Sequence, residues 1–497
     1  MSRSSNNLMS FVRQSGRCGL LIILMLASAA NASAQWSWTQ MASRRQRVSA
    51  TAIKDVAFFA GGSGWGGARH DTVEIFDAST STWRVQPLSA HRDFITAVAT
   101  DRYAVFAGGR KGVSSEPQTN VDIYDSTTGT WSFDKLPIPA WSMGGIAVGS
   151  RIMFAGGLST GGKLLQVVQI YEPSSRLWSV IPIAGHPRNG IGTAKDDRYV
   201  FFVGGASIPI GEDIVNIFDS WTGQWSSTRL PRPRGGASAC VVNGRLYIVG
   251  GNNGIQNIMD VYVISSGKWS KSTLPNNVIG TPMLALGSYL VLPSVGNNAT
   301  NPPTDIYNTL TGRWRVYAGR STARGRPAVL LNGGKIMIAG GSLITGSATD
   351  IVDILDLGPQ GTTYCTPATP NSTGQPATLS AFGTPSARDD FVTFTATNVP
   401  AQTIGMLLVG DAQGFSPFAG GSQGTLCLGG HMARFTANIT GNSELGDLVF
   451  DPILSAMPLT PMTGVQPGET WHFQVWYRDR NPGPTSNFTD AVSISFQ

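Results

Sequence analysis

The stretch YAVFAGGRKGVSSEPQTNVDIYDSTTGTW, Tyr103 to Trp131, holds the pattern from which most of the chain is built. An apolar run ends in a glycine pair, Gly108-Gly109, and an alternating segment VDIYD, Val121 to Asp125, leads through a turn to Trp131. Glycine pairs recur at Gly61-Gly62, Gly156-Gly157, Gly204-Gly205, Gly250-Gly251 and Gly340-Gly341, with a worn copy around Val295-Gly296, giving a period of 45 to 48 residues. Trp83, Trp178, Trp225, Trp269 and Trp314 keep the same phase as Trp131. A fixed period of this length marks stacked supersecondary units.

One copy shows why the unit repeats. Ile95 to Ala99, Tyr103 to Ala107, Val121 to Tyr124 and Thr130 to Lys135 read as four short strands of one antiparallel sheet. Asp77, Asp125 and Asp219 end the third strands, where a short carboxylate can accept from nearby backbone N–H groups and hold the turn. The steps Thr128-Gly129, Thr222-Gly223 and Thr311-Gly312 supply positive φ to that turn. A lone sheet of this size leaves two apolar faces wet. Stacking copies buries both, and closing the stack protects its ends.

The glycine doublet, the aromatic-Asp strand end, the spaced tryptophan and an arginine shortly before each first strand resemble the kelch family of β-propellers, from the first doublet to Leu357. The resemblance implies an all-β chain with a propeller over residues 35–357. The last copy ends at Asp356 without a tryptophan, while an extra segment, Trp36 to Met41, precedes the first copy. The N-terminal strand is therefore expected to complete the last blade and close seven blades, or six if the worn copy is a long insertion.

The ends of the chain point to export. Residues 1–34 carry Arg3, Arg13 and Arg17, then the apolar run Gly19 to Ala30, then Ala32-Ser33-Ala34, the order of a secretory signal peptide. The expected location is secreted or in the cell envelope, with no integral membrane segment after cleavage. Cys240 lies in an apolar strand and reads as a core thiol, whereas Cys365 and Cys427 share the C-terminal region and are expected to form a disulfide in an oxidising compartment. His70, His91, His186, His431 and His472 are isolated from one another, so no metal site is expected.

Residues 358–497 lack lysine and are rich in Thr, Ser, Pro and Gly. Alternating runs such as Phe391 to Ala396, Gly405 to Val409 and Trp471 to Tyr477 predict a β-sandwich. The ending GETWHFQVWYRDRNPGPTSNFTDAVSISF and the start YCTPATPNSTGQPATLSAFG resemble a module appended to diverse secreted bacterial proteins, which implies sorting, display or adhesion.

Charge separates the two parts. The C-terminal segment carries four arginines against nine acidic residues, and the propeller 29 basic against 21 acidic, net +8. Nucleic acid is not an expected partner of an exported chain; an anionic glycan, envelope lipid or protein is. Arg47, Arg92, Arg188, Arg234 and Arg326 occupy the connection into a new first strand, with Trp141 and Ile279 in their place in two copies. They are either a ring of cations at the channel mouth or a framework bonded to carbonyls of a neighbouring blade. The links between second and third strands are long in the first four copies and add Trp65, His70, Arg110, Lys111 and Glu116 as candidates for recognition.

Enzymatic readings find less support. The chain has no Tyr-His dipeptide and lacks the ligand set of the copper radical oxidases, and no phosphate loop or serine nucleophile elbow occurs. The expected function is a non-enzymatic, cofactor-free propeller binding a glycan or protein partner. The alternative is a carbohydrate-active enzyme, a sugar isomerase or sialidase-like, with its site at the channel mouth.

Overall fold

The computed structural model describes residues 36–112, 115–207, 211–251, 257–277, 282–293, 302–317, 323–332, 334–388, 390–436, 440–441 and 447–497. The segment 1–34 expected to be a signal peptide, the worn doublet at Val295-Gly296 and Ile279 lie outside them. The chain is all-β. Among the described residues, strand follows strand in seven four-stranded antiparallel sheets, as in Thr96–Ala99, Tyr103–Ala107, Asn120–Asp125 and Thr130–Lys135. The last sheet is completed from the other end of the chain, because Trp36–Arg45 pairs antiparallel with Thr349–Asp356, Trp36 opposite Leu355.

Neighbouring sheets share their cores. Phe58 and Ile75 of the first sheet pack with Phe106 and Tyr124 of the second, and Trp131 seals the outer side of that cluster. The second and third sheets repeat the scheme with Val105, Phe154, Tyr171 and Trp178. The innermost strands are tied to each other by hydroxyls: Thr96 Oγ1 donates to Met143 O at 3.2 Å and Thr193 Oγ1 to Gly145 O at 3.0 Å. The turns closing the outer hairpins follow from their sequence. Asp125 Oδ1 accepts from Thr127 N at 2.9 Å, and Gly129 takes φ 70.

A buried arginine joins each pair of sheets in most copies. Arg92 is fully buried; it donates to Gly108 O and Asn120 O, both at 2.6 Å, and forms an ion pair with the buried Asp122. All these acceptors belong to the sheet that Arg92 leads into, not to a neighbouring one. The neighbour is held by the backbone instead, since Gly62 N donates to Arg92 O at 3.1 Å. Arg45 with Glu74, Arg234 with Asp260 and Arg324 with Asp353 repeat the ion pair. Arg188 meets a neutral partner, Asn216. Burial pulls the Arg92 guanidinium down to about 9, which leaves it charged beside Asp122 at neutral pH.

The staple also closes the sheets on themselves, because Gly341 N of the last sheet donates to Arg45 O at 2.9 Å. In the third sheet both members are absent: Ala140 stands at the arginine's position, and Gln169 takes the carboxylate's place, bonding Ile138 N and O. In the sixth sheet Asp305 is buried without an arginine; burial raises its pKa, opposed by the Asn276 amide that donates to it at 2.7 Å.

The C-terminal part is a sandwich. A sheet containing Ile404–Pro417, Thr425–Arg434, Thr470–Arg480 and Pro484–Ser495 covers a three-stranded sheet, Thr378–Gly383, Val392–Thr397 and Leu448–Phe450. Phe394, Val409, Phe473 and Ile494 fill the space between them. The sandwich shares a core with the repeats: Phe382 stacks on Tyr289 at 4.6 Å, Phe391 meets the edge of Tyr289 at 6.3 Å, and Arg315 pairs with Asp451 at 3.4 Å. Cys365 and Cys427 are bonded, with Cα atoms 6.3 Å apart.

Removing one member of a buried ion pair strands the other, so Arg92→Ala should cost about 3–5 kcal/mol in urea unfolding. Gly108→Ala would drive a methyl group into Ala140 O at φ 65, whereas at Gly129, φ 70, nothing lies within 4 Å of an added Cβ. Gly129→Ala should therefore cost only the left-handed penalty of about 1–2 kcal/mol, and Gly108→Ala clearly more.

Candidate site at the channel mouth

The arginine staple places a second residue with different duties. Two positions after it the chain turns through the left-handed region before each inner strand: Arg47 has φ 56, Phe94 53, Ser142 57, Gly190 59, Gly236 71 and Arg326 53. Gly190 N donates to Ser142 O at 3.0 Å and Arg47 N to Arg326 O at 3.3 Å, so these residues follow one another around the mouth. Glycine satisfies this turn in two copies. Arg47, Phe94, Ser142 and Arg326 hold it at a cost of about 1–3 kcal/mol each.

The arginines nominated from the sequence thus fall on two positions. Arg92, Arg188 and Arg234 are fully buried staples and cannot meet a ligand. Arg47 is half-buried and Arg326 exposed, both at the left-handed position; the staples of their copies are Arg45 and Arg324. Trp141 takes the place of Asp93, one residue before the left-handed position, and Ala140 is the residue that replaces the staple.

The long links between second and third strands come to the same rim. Backbone bridges join Gln46 to Ser63, Asp93 to Arg110, Trp141 to Leu158 and Asn189 to Ala206. The long links and the channel mouth are one surface. Its centre is Arg110, whose guanidinium lies 4.6 Å from the Phe94 ring centroid and 4.8 Å from that of Trp141. Arg110 Nε donates to Asp93 at 2.9 Å, Arg69 Nε at 3.2 Å and Arg47 Nη1 at 3.4 Å. Three guanidiniums converge on one fully buried carboxylate. Burial, then the charge of Arg326, lowers the pKa of Arg47 against the pull of Asp93, and Arg110 lowers it further.

The other candidates are peripheral. Trp65 opens a short 3-10 turn, Trp65–Gly67. His70 bonds Arg44 O at 3.2 Å, and burial lowers its pKa. Lys111 and Glu116 belong to a two-stranded ribbon, Arg110–Lys111 with Glu116–Pro117. Cys240 is a structural thiol, donating to Met283 O at 3.2 Å and pushed up to about 12 by burial. A cavity of 730 Å³ beside Lys163, Ser207 and Glu212 lies further out, with His186 paired to Glu212 at 2.9 Å. Among the described residues no three His, Cys, Asp or Glu side chains are placed to hold a metal, and no helix is long and apolar enough to cross a membrane.

Comparison with known proteins agrees with this architecture. Residues 233–273, which contain the Arg234–Asp260 staple, match the Kelch motif. The findings support the kelch-repeat family. The chain is similar to the F-box/kelch-repeat protein At1g67480 of Arabidopsis thaliana, 30% identical over 120 residues, covering 22% of this chain and 32% of that protein. It is also similar to F-box/kelch-repeat protein At2g44630 of the same plant, 27% identical over 92 residues, covering 18% of this chain and 24% of the relative. The chain thus spans no more than about a third of the length of the relatives it matches.

The left-handed serine gives a clean check of strain at the mouth. Ser142→Gly keeps φ 57 without a Cβ and should leave stability unchanged or raise it by up to about 1 kcal/mol in thermal or urea unfolding.

Proposed function

We propose that this chain is an exported, non-enzymatic binding scaffold whose channel mouth captures an acidic segment of a protein partner, with the C-terminal sandwich placing it at or beyond the cell envelope. The carrying observation is the clamp on Arg110. Phe94 and Trp141, their ring centroids 5.2 Å apart, form one aromatic wall against its guanidinium, whose Nε is bonded to Asp93 and Nη1 to Ser115 Oγ at 2.8 Å, so the cation is held in place with donors left over for a carboxylate. The Phe94 ring also meets the Arg47 guanidinium, 5.4 Å from its centroid. Arg47 and Arg326 stand beside it, and the only carboxylate among these side chains is already shared by three guanidiniums. That arrangement favours holding an anion over acid-base chemistry, for which a group at the mouth would have to take and return a proton. The Kelch motif supports protein binding as the class of activity.

The test is retention of residues 35–497 on immobilised poly-L-glutamate, polygalacturonate and neutral dextran at low and moderate salt. Retention on poly-L-glutamate should weaken with salt and fall at least tenfold in Arg47→Ser plus Arg326→Ser, without loss of folding. Retention on polygalacturonate alone would move the partner to an acidic glycan. Retention on neither would overturn the reading.

A further inference from the structure

The C-terminal sandwich carries an apolar surface that neither its own core nor the repeats use. On Ile404–Pro417 the side chains alternate: Leu407 and Val409 enter the core between the two sheets. Met406 and Leu408 face the other way and join Leu426, Leu428, Phe488 and Trp476 in a separate cluster around an open cavity of 550 Å³. Ala419 and Gly420, from the tip of the hairpin between Ile404–Pro417 and Thr425–Arg434, close one side of the cavity.

That tip is built to expose large apolar groups. Phe415 is 75% exposed and Phe418 72%, and Phe418 sits in the left-handed region at φ 57, where a bulky side chain is costly and the two glycines after it are not. From Ala412 to Gly430 the sequence contains no charged residue. Charge resumes at the base of the hairpin with Asp411 on one strand and Arg434 on the other. Arg434 lines the cavity and the Arg478 guanidinium lies 5.8 Å from the Trp476 ring, while the neighbouring carboxylate, Asp411, is paired with His431 at 2.8 Å. Three of the four arginines of this acidic module, Arg434, Arg478 and Arg480, lie on these strands.

We propose that this hairpin and cavity form a docking surface for an anionic lipid bilayer. The order of the chemistry matches one leaflet. Phe415 and Phe418 enter the acyl boundary, and the arginines meet lipid phosphates beside them, since the tip bonds back to Ser486 next to the strand that carries Arg478 and Arg480. A soluble protein partner would have to cover two projecting phenylalanines and a concave face together. Charge complementarity favours the bilayer, since the exposed Arg434 and Arg478 flank the cavity while the hairpin's carboxylate, Asp411, is paired with His431.

The test is co-sedimentation of residues 35–497 with vesicles of phosphatidylglycerol and phosphatidylcholine against vesicles of phosphatidylcholine alone. Binding should require the anionic lipid and fall about fivefold for each of Arg434→Gln and Arg478→Gln. Phe415→Ser plus Phe418→Gly should reduce it at least tenfold with an unchanged or raised Tm, because glycine accepts φ 57 freely. Arg47→Ser plus Arg326→Ser, which tests the channel mouth, should leave vesicle binding intact. No binding to anionic vesicles, binding indifferent to the two phenylalanines, or binding lost with the mouth arginines would each overturn the proposal.

Discussion

The repeats depend on one buried arginine that serves two sheets at once. Its guanidinium is spent on carbonyls and an acid inside the sheet it introduces, and its own carbonyl accepts an N–H from the glycine doublet of the sheet before. A charge in the core is tolerable only when its partners are fixed. The doublet fixes them, because the second glycine donates its N–H to that carbonyl while a Cβ on the first, Gly61, would lie 2.4 Å from the same oxygen. Tryptophan, strand alternation and hydroxyl ladders fill and seal the space, while arginine and doublet set the spacing from one sheet to the next. The same bond from Gly341 to Arg45 closes the last sheet on the first connection, so closure repeats an interaction already used inside the stack.

The rigid staple is what sets the geometry of the mouth. Two residues after it, each connection must turn left-handed, and glycine suffices at Gly190 and Gly236. Large side chains held at that position in other copies are anchored on one side by the staple and on the other by the inner strand. Phe94 is thereby aimed at Arg110, and Arg47 and Arg326 are set side by side despite their like charge. Concentrated charge of one sign in a narrow opening raises the local potential and draws in counter-ions or ligands. The sandwich uses the same device once, at Phe418, where a left-handed aromatic projects from a hairpin.

The repeat, the third-strand aspartates and the N-terminal closing strand were legible in the sequence, because each has a short-range cause: glycine for positive φ, aspartate for the turn, a missing tryptophan strand matched by a spare one. Division of labour among the arginines was not. Arg45-Gln46-Arg47 and Arg324-Gly325-Arg326 each offer two arginines, and spacing to the next strand does not say which one is buried. The signal that helps to separate them lies about 30 residues away, within the third strand: Glu74, Asp122, Asp260 and Asp353 face buried arginines and Gln169 stands where Ala140 replaces one, while Asn216 under Arg188 and Asp305 without an arginine break the pattern. The union of the second-to-third strand loops with the mouth was also hidden, since it rests on backbone bridges such as Asp93 with Arg110 that no composition reveals.

The most direct measurement compares two arginines that sit two residues apart in one connection. Arg45→Ala and Arg47→Ala would each be assayed for thermal stability and for retention on poly-L-glutamate. The account predicts opposite outcomes: the first loses stability by about 3–5 kcal/mol through its stranded Glu74, and the second keeps its Tm and loses retention. Equal loss of stability in both, or retention that survives Arg47→Ala at full strength, would contradict it.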